Sequence, residues 1–496
     1  MSDLPDELWC TIFDYLDLVT LKDASLVCRR WADLTFSGKR MNRVALDGCF
    51  FPESNRNYRH VRLAYSLKTR FDDWCQVVRK YSPSIVTLEI EMCSFITSLE
   101  LQTLLAHLPS LYHLTIRNGF KECTESIIPY ELLPTLKYLS FDKNQDSSAA
   151  VRLCMAAPNL ECLHMNCTAA RELDVYRHFS GQLKLVYVAF LTPNFYNPFM
   201  ELNFPCLEEL SIYEMLDEPE YDLETSQEFF RRHTSLRRLS IKSHFIPNSL
   251  IQIITGYCDQ LTHLSLNFRI PTRDGGTFGS LSQLTGLKYL KLEGYLESDI
   301  FQGCNAMHSL ETIEVGEFHL FFPVELLHKL YTVAPRLTCL KYEPNWLPDT
   351  TDNDLVLRYI FSSFPKLTRL TLSEYPGMWR ELDYLKFERY YIDKLRKLRE
   401  FEVRCWSTKT CKIYKYFPRN NVRYLEIIGH DPLFYKHKVL PLHHNKLQRL
   451  ILVPCDRNDS ESSFEWVHRL LPKTRIYVRR SVWLENLHQA CYGGLV

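Results

Sequence analysis

The chain has 496 residues, 46% of them hydrophobic and 24% charged, which is the balance of a folded protein and excludes a largely disordered one. The 59 Lys and Arg residues equal the 59 Asp and Glu residues, so no net field draws the chain to nucleic acid or to an anionic membrane. No uncharged apolar run approaches the roughly 18 residues that a membrane-spanning helix needs, and we expect neither nucleic acid nor membrane among the partners.

Residues 1–40 are predicted to form a small helical domain. Pro5 suits the first turn of a helix, and the carboxylates of Asp6 and Glu7 favour the positive end of its dipole. Apolar residues then recur at helical spacing, at Leu8, Ile12, Phe13 and Leu16 and, in two further short pieces, at Leu21, Ala24, Val27, Cys28, Trp31 and Leu34. A bundle this small buries too little surface to be stable alone, so it must lean on something else.

The order and gaps of these residues resemble the F-box. The matching run is Leu4-Pro5-x-Glu7-Leu8, Ile12-Phe13-x-Tyr15-Leu16, Leu21 and Val27-Cys28-Arg29-x-Trp31. In that family the motif binds the Skp-type linker of cullin ubiquitin ligases, so the resemblance implies the linker, and through it a cullin and a RING subunit, as partners. The linker-facing residues it implies are Leu4, Pro5, Leu8, Ile12, Phe13, Leu16, Leu21, Val27, Cys28 and Trp31. The alternative is that the helices only cap the segment that follows.

Residues 41–480 repeat one short phrase, Leu-x-x-Leu-x-Leu, in which other apolar residues replace Leu. Fifteen copies are spaced 23 to 31 residues apart, close to the period of leucine-rich repeats. They begin at Ile85, Leu111, Leu136, Leu160, Leu183, Leu207, Leu236, Leu261, Leu287, Leu310, Leu337, Leu367, Leu398, Val422 and Leu447. Weaker copies at Met41, Val44, Leu46 and at Tyr58, Val61, Leu63 lead in, and Ile476 to Val478 is a candidate last strand.

Proline stands two residues before several of these phrases, as at Pro109, Pro158 and Pro335. Because proline cannot continue a helix, it marks the corner where each helix ends and the next strand begins. The predicted fold class is therefore α/β: an F-box of three helices, then a leucine-rich-repeat solenoid, or horseshoe, of about 15 or more repeats. An α/β sheet built from βαβ units is the alternative, and it would not repeat one short phrase so often.

Strand alternation predicts which solenoid residues point to the concave face, where a target protein would bind. The candidates are Arg238, Lys242, His263, Asn267, Tyr289, Lys291, Arg369 and Tyr424. Arg and Tyr are enriched at interface hot spots, and a plain solvated face is the alternative. Near the end, Ile428, Ile451 and Val453 occupy concave positions, covered by the tail of residues 481–496 or by a partner.

Catalytic and cofactor motifs are not found. The chain lacks a Gly-x4-Gly-Lys-Ser/Thr loop, its Cys and His pairs lack zinc-ligand spacing, and no basic cluster would hold an inositol phosphate as some F-box relatives do. We expect no cofactor, no metal and no enzymatic activity. The F-box resemblance implies a substrate receptor of an SCF-type ubiquitin ligase that directs its target to ubiquitination and proteasomal degradation; the alternative is a leucine-rich-repeat scaffold or inhibitor outside any ligase.

Cysteine usage bears on the compartment. The 17 cysteines are odd in number and scattered from Cys10 to Cys491, and Met1 to Tyr15 lacks the basic and apolar parts of a signal peptide. We expect a reduced intracellular protein, cytoplasmic and/or nuclear.

Overall fold

The computed structural model describes a defined part of the chain, in two compact units. The described residues are 4–14, 16, 21, 24–36, 43–47, 58–64, 70–91, 96–117, 132–142, 147–190, 193–214, 222–268, 278–294, 300–318, 323–344, 359–373, 395–404, 423–430, 448–454 and 475–478. The first unit comprises residues 1–216 and 220–233, and the second comprises residues 217–219 and 234–496. The predicted tail, residues 481–496, lies outside the described residues.

The first unit contains the N-terminal helices and a ladder of parallel strands. Its helices are α1 (Asp6–Asp14), α2 (Arg29–Phe36), α3 (Phe71–Tyr81), α4 (Ser98–Leu105), α5 (Ser147–Met155), α6 (Ala170–Phe179), α7 (Tyr196–Met200) and α8 (Leu223–Arg232), with short 3-10 turns at Ser82–Ser84 and Pro193–Phe195. Its strands are β1 (Arg43–Asp47), β2 (His60–Ala64), β3 (Thr87–Glu91), β4 (His113–Arg117), β5 (Tyr138–Asp142), β6 (Cys162–Cys167), β7 (Leu185–Phe190) and β8 (Glu209–Glu214). Each of these strands pairs in parallel with the next, from β1 through β8.

The second unit continues the same pattern. Its strands are β9 (Arg238–Ser243), β10 (His263–Phe268), β11 (Tyr289–Gly294), β12 (Thr312–Phe318), β13 (Cys339–Pro344), β14 (Arg369–Ser373), β15 (Glu400–Arg404), β16 (Tyr424–His430), β17 (Arg449–Pro454) and β18 (Arg475–Val478). They also pair in parallel, each with the next. Between them lie α9 (Asn248–Tyr257), α10 (Pro323–Val333) and a 3-10 turn at Gly279–Gln283.

All fifteen predicted phrases form strands, each beginning two residues after its opening apolar residue, as β9 follows Leu236. The two lead-in copies and the last candidate form β1, β2 and β18. The register sets equivalent residues beside each other, so that Leu264 faces Leu290 and Leu266 faces Leu292. The leucine-rich-repeat fold is therefore confirmed in both units.

Burial explains the phrase. Its apolar positions are inside, for example Leu261, Leu264 and Leu266, each 0% exposed. Burying one such side chain stabilises the folded state by about 2 kcal/mol, and every repeat presents three of them to its neighbours. Single repeats cannot enclose this surface, which is why the strands stack.

The corners are joined by side chains that reach back to the preceding repeat. Thr135 Oγ1 donates to the carbonyl of Pro109 at 3.1 Å, and Asn159 Nδ2 donates to that of Pro134 at 2.8 Å. Lys366 Nζ donates in the same way to Pro335 at 3.0 Å. Proline carbonyls at a corner have no helical or strand partner, so these bonds satisfy them and fix the spacing of adjacent repeats.

Side chains cap the starts of two helices in the first unit, α4 and α6. Thr97 and Glu100 form a reciprocal capping box at α4, with the Thr97 amide donating to Glu100 Oε2 at 2.8 Å. Glu172 is fully buried because its carboxylate accepts the amides of Thr168 and Ala169 before α6. The side-chain oxygens thereby satisfy amides at the start of the helix that have no partner within it.

His233 closes the core of the first unit behind an aromatic cluster. Its ring lies 4.1 Å from that of Phe229 and is 1% exposed. Nε2 accepts the Phe204 amide at 2.8 Å, which leaves Nδ1 as the donor to the Phe229 carbonyl at 2.6 Å. Burial lowers the pKa of His233 to about 4, so the ring is neutral in the folded protein.

We expect acid to destabilise the first unit through His233. The unfolded side chain takes up a proton near pH 6.5 and the folded one only near pH 4, so the contribution is full above pH 6.5 and is lost as pH falls towards 4. The shift corresponds to about 3 kcal/mol. Thermal unfolding between pH 7 and pH 4 should show a weaker pH dependence for His233→Gln than for wild type. The exposed His178→Gln is the control, and an equal change there would contradict this assignment.

Gly294 ends β11 at a φ of +116°, and an added Cβ would lie 1.5 Å from the Phe268 carbonyl oxygen. Gly294→Ala should therefore destabilise the second unit by about 2 kcal/mol or more, because strain and a backbone clash add. Gly256→Ala in α9 is the matched control, since an added Cβ meets nothing within 4 Å there. That change should raise the melting temperature slightly, because Ala favours helix over Gly. Equal melting temperatures for both variants would be inconsistent with the geometry.

Candidate docking surfaces

The N-terminal helices have a small aromatic core of their own. Phe13, Leu21 and Ala24 are buried, and Trp9, Leu16, Trp31 and Leu34 pack against them. The rings of Trp9 and Trp31 are 4.4 Å apart, and Phe13 meets Trp31 edge-on at 5.4 Å. This stacking ties α1 to α2.

Phe13 and Leu21 therefore differ from their sequence-predicted positions. They were expected to face the linker, but they are only 1% and 5% exposed inside the bundle. The apolar residues of α1 cover an arc wide enough to form two surfaces. Its inner edge consists of Trp9 and Phe13, which lie one turn apart and pack on Trp31. Leu16 and Trp31 are half-buried against the same core. These four residues support the outer surface.

The outer edge of α1 and the turn before α2 carry exposed apolar side chains. Leu8 and Ile12, one helical turn apart, are 49% and 42% exposed, and Leu4 is 37% exposed. Leu26 and Val27 are 83% and 60% exposed. We name these five residues the apolar face. Pro5 and Cys28, also predicted to meet the linker, are exposed as well.

Leu26 was missed by the sequence interpretation, although it is the most exposed large apolar residue among those described. It precedes Val27 in a turn, where helical periodicity gives no direction for a side chain. Its apolar character next to the Val27-Cys28 pair was the only available signal.

Arg30 fastens the start of α1 to α2. Its guanidinium donates to Asp6 Oδ1 at 2.9 Å from Nε and 2.7 Å from Nη2, and Nη2 also donates to the Leu4 carbonyl at 2.9 Å. The planar fork of arginine suits such a multiple contact. It positions Leu4 and Pro5 at one end of the apolar face.

The predicted target-binding residues of the second unit lie on one face of its strands. Arg238, Lys242, His263 and Arg369 are exposed, and Asn267, Tyr289 and Lys291 are half-buried. Tyr424 begins β16, and its side chain lies outside the described residues. The structure brings seven described side chains to one surface as the alternation predicted; their binding role remains a prediction.

Much of this face is paired within itself. Glu293 receives a hydrogen bond from Asn267 Nδ2 at 2.7 Å and an ion pair from Lys291 at 2.7 Å. Arg369 pairs with Glu400 at 2.5 Å. Burial, followed by the charge and hydrogen bond of Glu314, raises the pKa of Tyr289. A charged target would have to compete with these internal partners.

The first unit presents a different face. His113 stacks on Tyr138 at 5.6 Å, and His164 lies 5.6 Å from the ring of Tyr187. Burial lowers the pKa of His113, which keeps that ring neutral at pH 7. Strand alternation puts Tyr138 at the same place in its repeat as Tyr289, whereas His113, His164 and Tyr187 were not among the predicted contacts. The signal was present, because aligning the repeats by their phrase places the rings on adjacent strands.

The described residues hold no metal cluster: no group of three or more His, Cys, Asp or Glu is placed to bind an ion. Among the described helices, none is long and apolar enough to cross a membrane.

Comparison with known proteins bears on the N-terminal region. Residues 1–46 match the family model described as F-box-like. No curated protein matches the chain. Together with the repeats seen in both units, the match makes this chain an F-box-like region followed by leucine-rich repeats.

Solved structures resembling the chain include TLR13 in complex with ssRNA13, at a TM-score of 0.45 and 16% identity, over 82% of this chain and 57% of that one. The chain thus spans little more than half of that relative. The yeast complex of Rad7 and Elc1 matches with a TM-score of 0.42 and 15% identity, over 75% and 88% of the two chains. Internalin C2 from Listeria monocytogenes matches with a TM-score of 0.24 and 13% identity, over 50% and 83%.

Removing the Arg30 guanidinium group should destabilise the first turn of α1. The amides of Leu8 and Trp9 bond to the Pro5 carbonyl at 3.1 and 3.2 Å, so their hydrogen exchange reports on this turn. For Arg30→Ala we expect exchange at both amides to rise about three- to fivefold, because an exposed ion pair contributes up to about 1 kcal/mol. Arg29→Ala is the neighbouring control, and equal rates in the two variants would show that Arg30 does not hold the turn.

Proposed function

We propose that this F-box-like leucine-rich-repeat protein is the non-catalytic substrate receptor of an SCF-type ubiquitin ligase. Its N-terminal helices bind the Skp-type linker and, through it, a cullin and a RING subunit. Its repeats hold a target protein for ubiquitination and proteasomal degradation. The observation that carries this proposal is the exposed apolar face of Leu4, Leu8, Ile12, Leu26 and Val27.

Such a face is costly in water. Fully covering a large apolar side chain contributes about 1.5–3 kcal/mol, so a partner that covered these five residues would gain favourable binding energy from each of them. The packed rings of Trp9, Phe13 and Trp31 hold α1 against α2 beneath this face. A preformed surface loses little entropy when it binds.

Recruitment explains why no catalytic group is required from this chain. A receptor that holds a target near an activated ubiquitin raises the local concentration of the target's lysines, and the second encounter becomes intramolecular. The requirement on the receptor is selective, rigid binding. Stacked repeats supply an extended sheet face for that purpose.

For target contact we propose the face of the second unit, with Arg238, Lys242, His263, Asn267, Tyr289, Lys291, Arg369 and Tyr424 as candidate contacts. Four of these side chains are exposed, on strands β9, β10 and β14: Arg238, Lys242, His263 and Arg369. We also propose that the protein acts in the cytoplasm, the nucleus or both, where its ligase partners would be found.

The linker interaction is tested with Leu8→Asp and Val27→Asp in the full chain. Both residues are exposed, so the bundle should fold, while a carboxylate on the apolar face would have to be buried without a partner in the complex. We expect each variant to weaken binding of the purified linker about 30-fold or more in biolayer interferometry.

Leu99→Asp is the matched control, because Leu99 is 51% exposed on α4, away from the apolar face, and its substitution should leave the affinity unchanged. Trp31→Ala is a poor probe, since Trp31 belongs to the aromatic core. A wild-type chain that does not bind the linker would refute the ligase role and favour the scaffold or inhibitor.

A further inference from the structure

The strands β4 to β7 of the first unit carry a compact group of aromatic and small polar side chains on one face. We name it the aromatic patch; its residues are His113, Thr115, Tyr138, Ser140, His164 and Tyr187. All six are half-buried, so each offers part of its surface to solvent. With strands about 4.8 Å apart, the patch is about 14 Å wide, which matches an extended segment of about four residues.

Contacts join the six residues in two groups, His113 with Thr115 and Tyr138, and Ser140 with His164 and Tyr187. His113 stacks on Tyr138, and the Ser140 hydroxyl lies 3.0 Å from His164 Nδ1. His113 Nε2 and Thr115 Oγ1 are 3.1 Å apart. The side chains are therefore held in place before any partner arrives, which lowers the entropy cost of binding.

A buried tyrosine stiffens the backbone beneath the patch. The hydroxyl of Tyr176, on α6, donates to the Met165 carbonyl at 2.8 Å and lies 2.9 Å from the Tyr187 carbonyl. These two carbonyls belong to the neighbouring strands β6 and β7. Helix α6 thereby fixes the two strands that present His164 and Tyr187.

None of the six patch residues carries a carboxylate, ammonium or guanidinium group, and charged side chains described at its border already have partners of their own. On the β2–β4 side, Arg62 contacts Glu91 at 2.5 Å and Arg117 contacts Glu89 at 2.8 Å. On the β8 side, Glu209 accepts the Tyr187 hydroxyl at 2.5 Å. An uncharged aromatic centre with a charged border is the composition of a protein interface.

We infer that the aromatic patch is a docking surface for an extended, uncharged segment of a partner protein, with aromatic or aliphatic side chains at the contact. The rings provide apolar area at low entropy cost, and His164 and Ser140 provide hydrogen-bonding groups. Charged or phosphorylated side chains would be desolvated there without a counter-charge. If the proposed function holds, this segment belongs to the ligase target; the docking itself does not depend on the linker.

The test is a selection of displayed short random peptides on the full chain. We expect enriched peptides to carry aromatic or aliphatic residues without a net charge. Synthetic copies should lose affinity roughly tenfold or more when one contact residue is replaced by Glu or phosphoserine, as measured by fluorescence anisotropy. Peptides that bind only when acidic, basic or phosphorylated would overturn the inference.

Ser140→Arg and Ser265→Arg form the matched pair of protein variants. Both serines occupy the third residue of a strand, on β5 in the first unit and β10 in the second, and both are half-buried. Ser140→Arg should weaken the peptides roughly tenfold or more, while Ser265→Arg should not. Tyr138→Ala with His164→Ala provides a second disruption of the patch, and equal melting temperatures show that each variant folds.

If only Ser265→Arg weakens peptide binding, the peptides dock on the second unit and the proposed role of the aromatic patch is refuted. A library that yields no peptide whose binding depends on the patch would refute it as well. Linker affinity is measured in the same variants. Retained linker binding with lost peptide binding supports both proposals. Failure of wild type to bind the linker would remove the ligase role and leave the patch result intact.

Discussion

A single leucine-rich repeat cannot enclose its own apolar side chains, and the rest of this structure follows from that constraint. Each strand covers the leucines of the one before it, so the sequence must repeat the same apolar phrase at every step. The repeated apolar phrase determines which residues point inward. Because side chains alternate along a strand, the residues between them point outward. Those outward residues differ along the array: Lys291 and Arg369 of the second unit form ion pairs, and strands β4 to β7 of the first unit carry the uncharged aromatic patch.

The N-terminal helices also use different rows of one apolar surface for different contacts. Helix α1 has a wide apolar arc, and adjacent rows of that arc do different work: Trp9 and Phe13 pack on Trp31, while Leu8 and Ile12 remain exposed. The inner row holds α1 against α2, and the outer row leaves apolar side chains in contact with solvent. We therefore regard the aromatic core as a support that keeps the apolar face in shape. Arg30, reaching from α2 to Asp6 and the Leu4 carbonyl, extends that support to the start of α1.

The strands were predictable because periodicity alone determines them: fifteen phrases gave fifteen strands, and even the weak copies at Val44 and Val61 form strands. Helical spacing, by contrast, identifies an apolar arc without telling which part of it another helix will cover. The F-box resemblance implied that Phe13 and Leu21 face the linker, and the spacing of the residues could not correct that expectation. Leu26 lies in a turn, where no periodicity applies. The pairing of Asn267 and Lys291 with Glu293 depends on contacts between and within strands, which the choice of single residues by type did not consider.

The equivalent pairing of strands also bears on how such a chain can change its length. Leu264 meets Leu290 and Leu290 meets Ile313, each at the same place in its repeat. Excising one whole repeat would bring the next one into an identical setting, with its leucines and its corner hydrogen bonds matched by the new neighbour. Deleting a segment of any other length would shift the register between neighbouring strands, so that their leucines would no longer lie beside each other. Gains and losses of whole repeats are thus the steps by which the length of the strand array, and with it the area of its exposed face, can change.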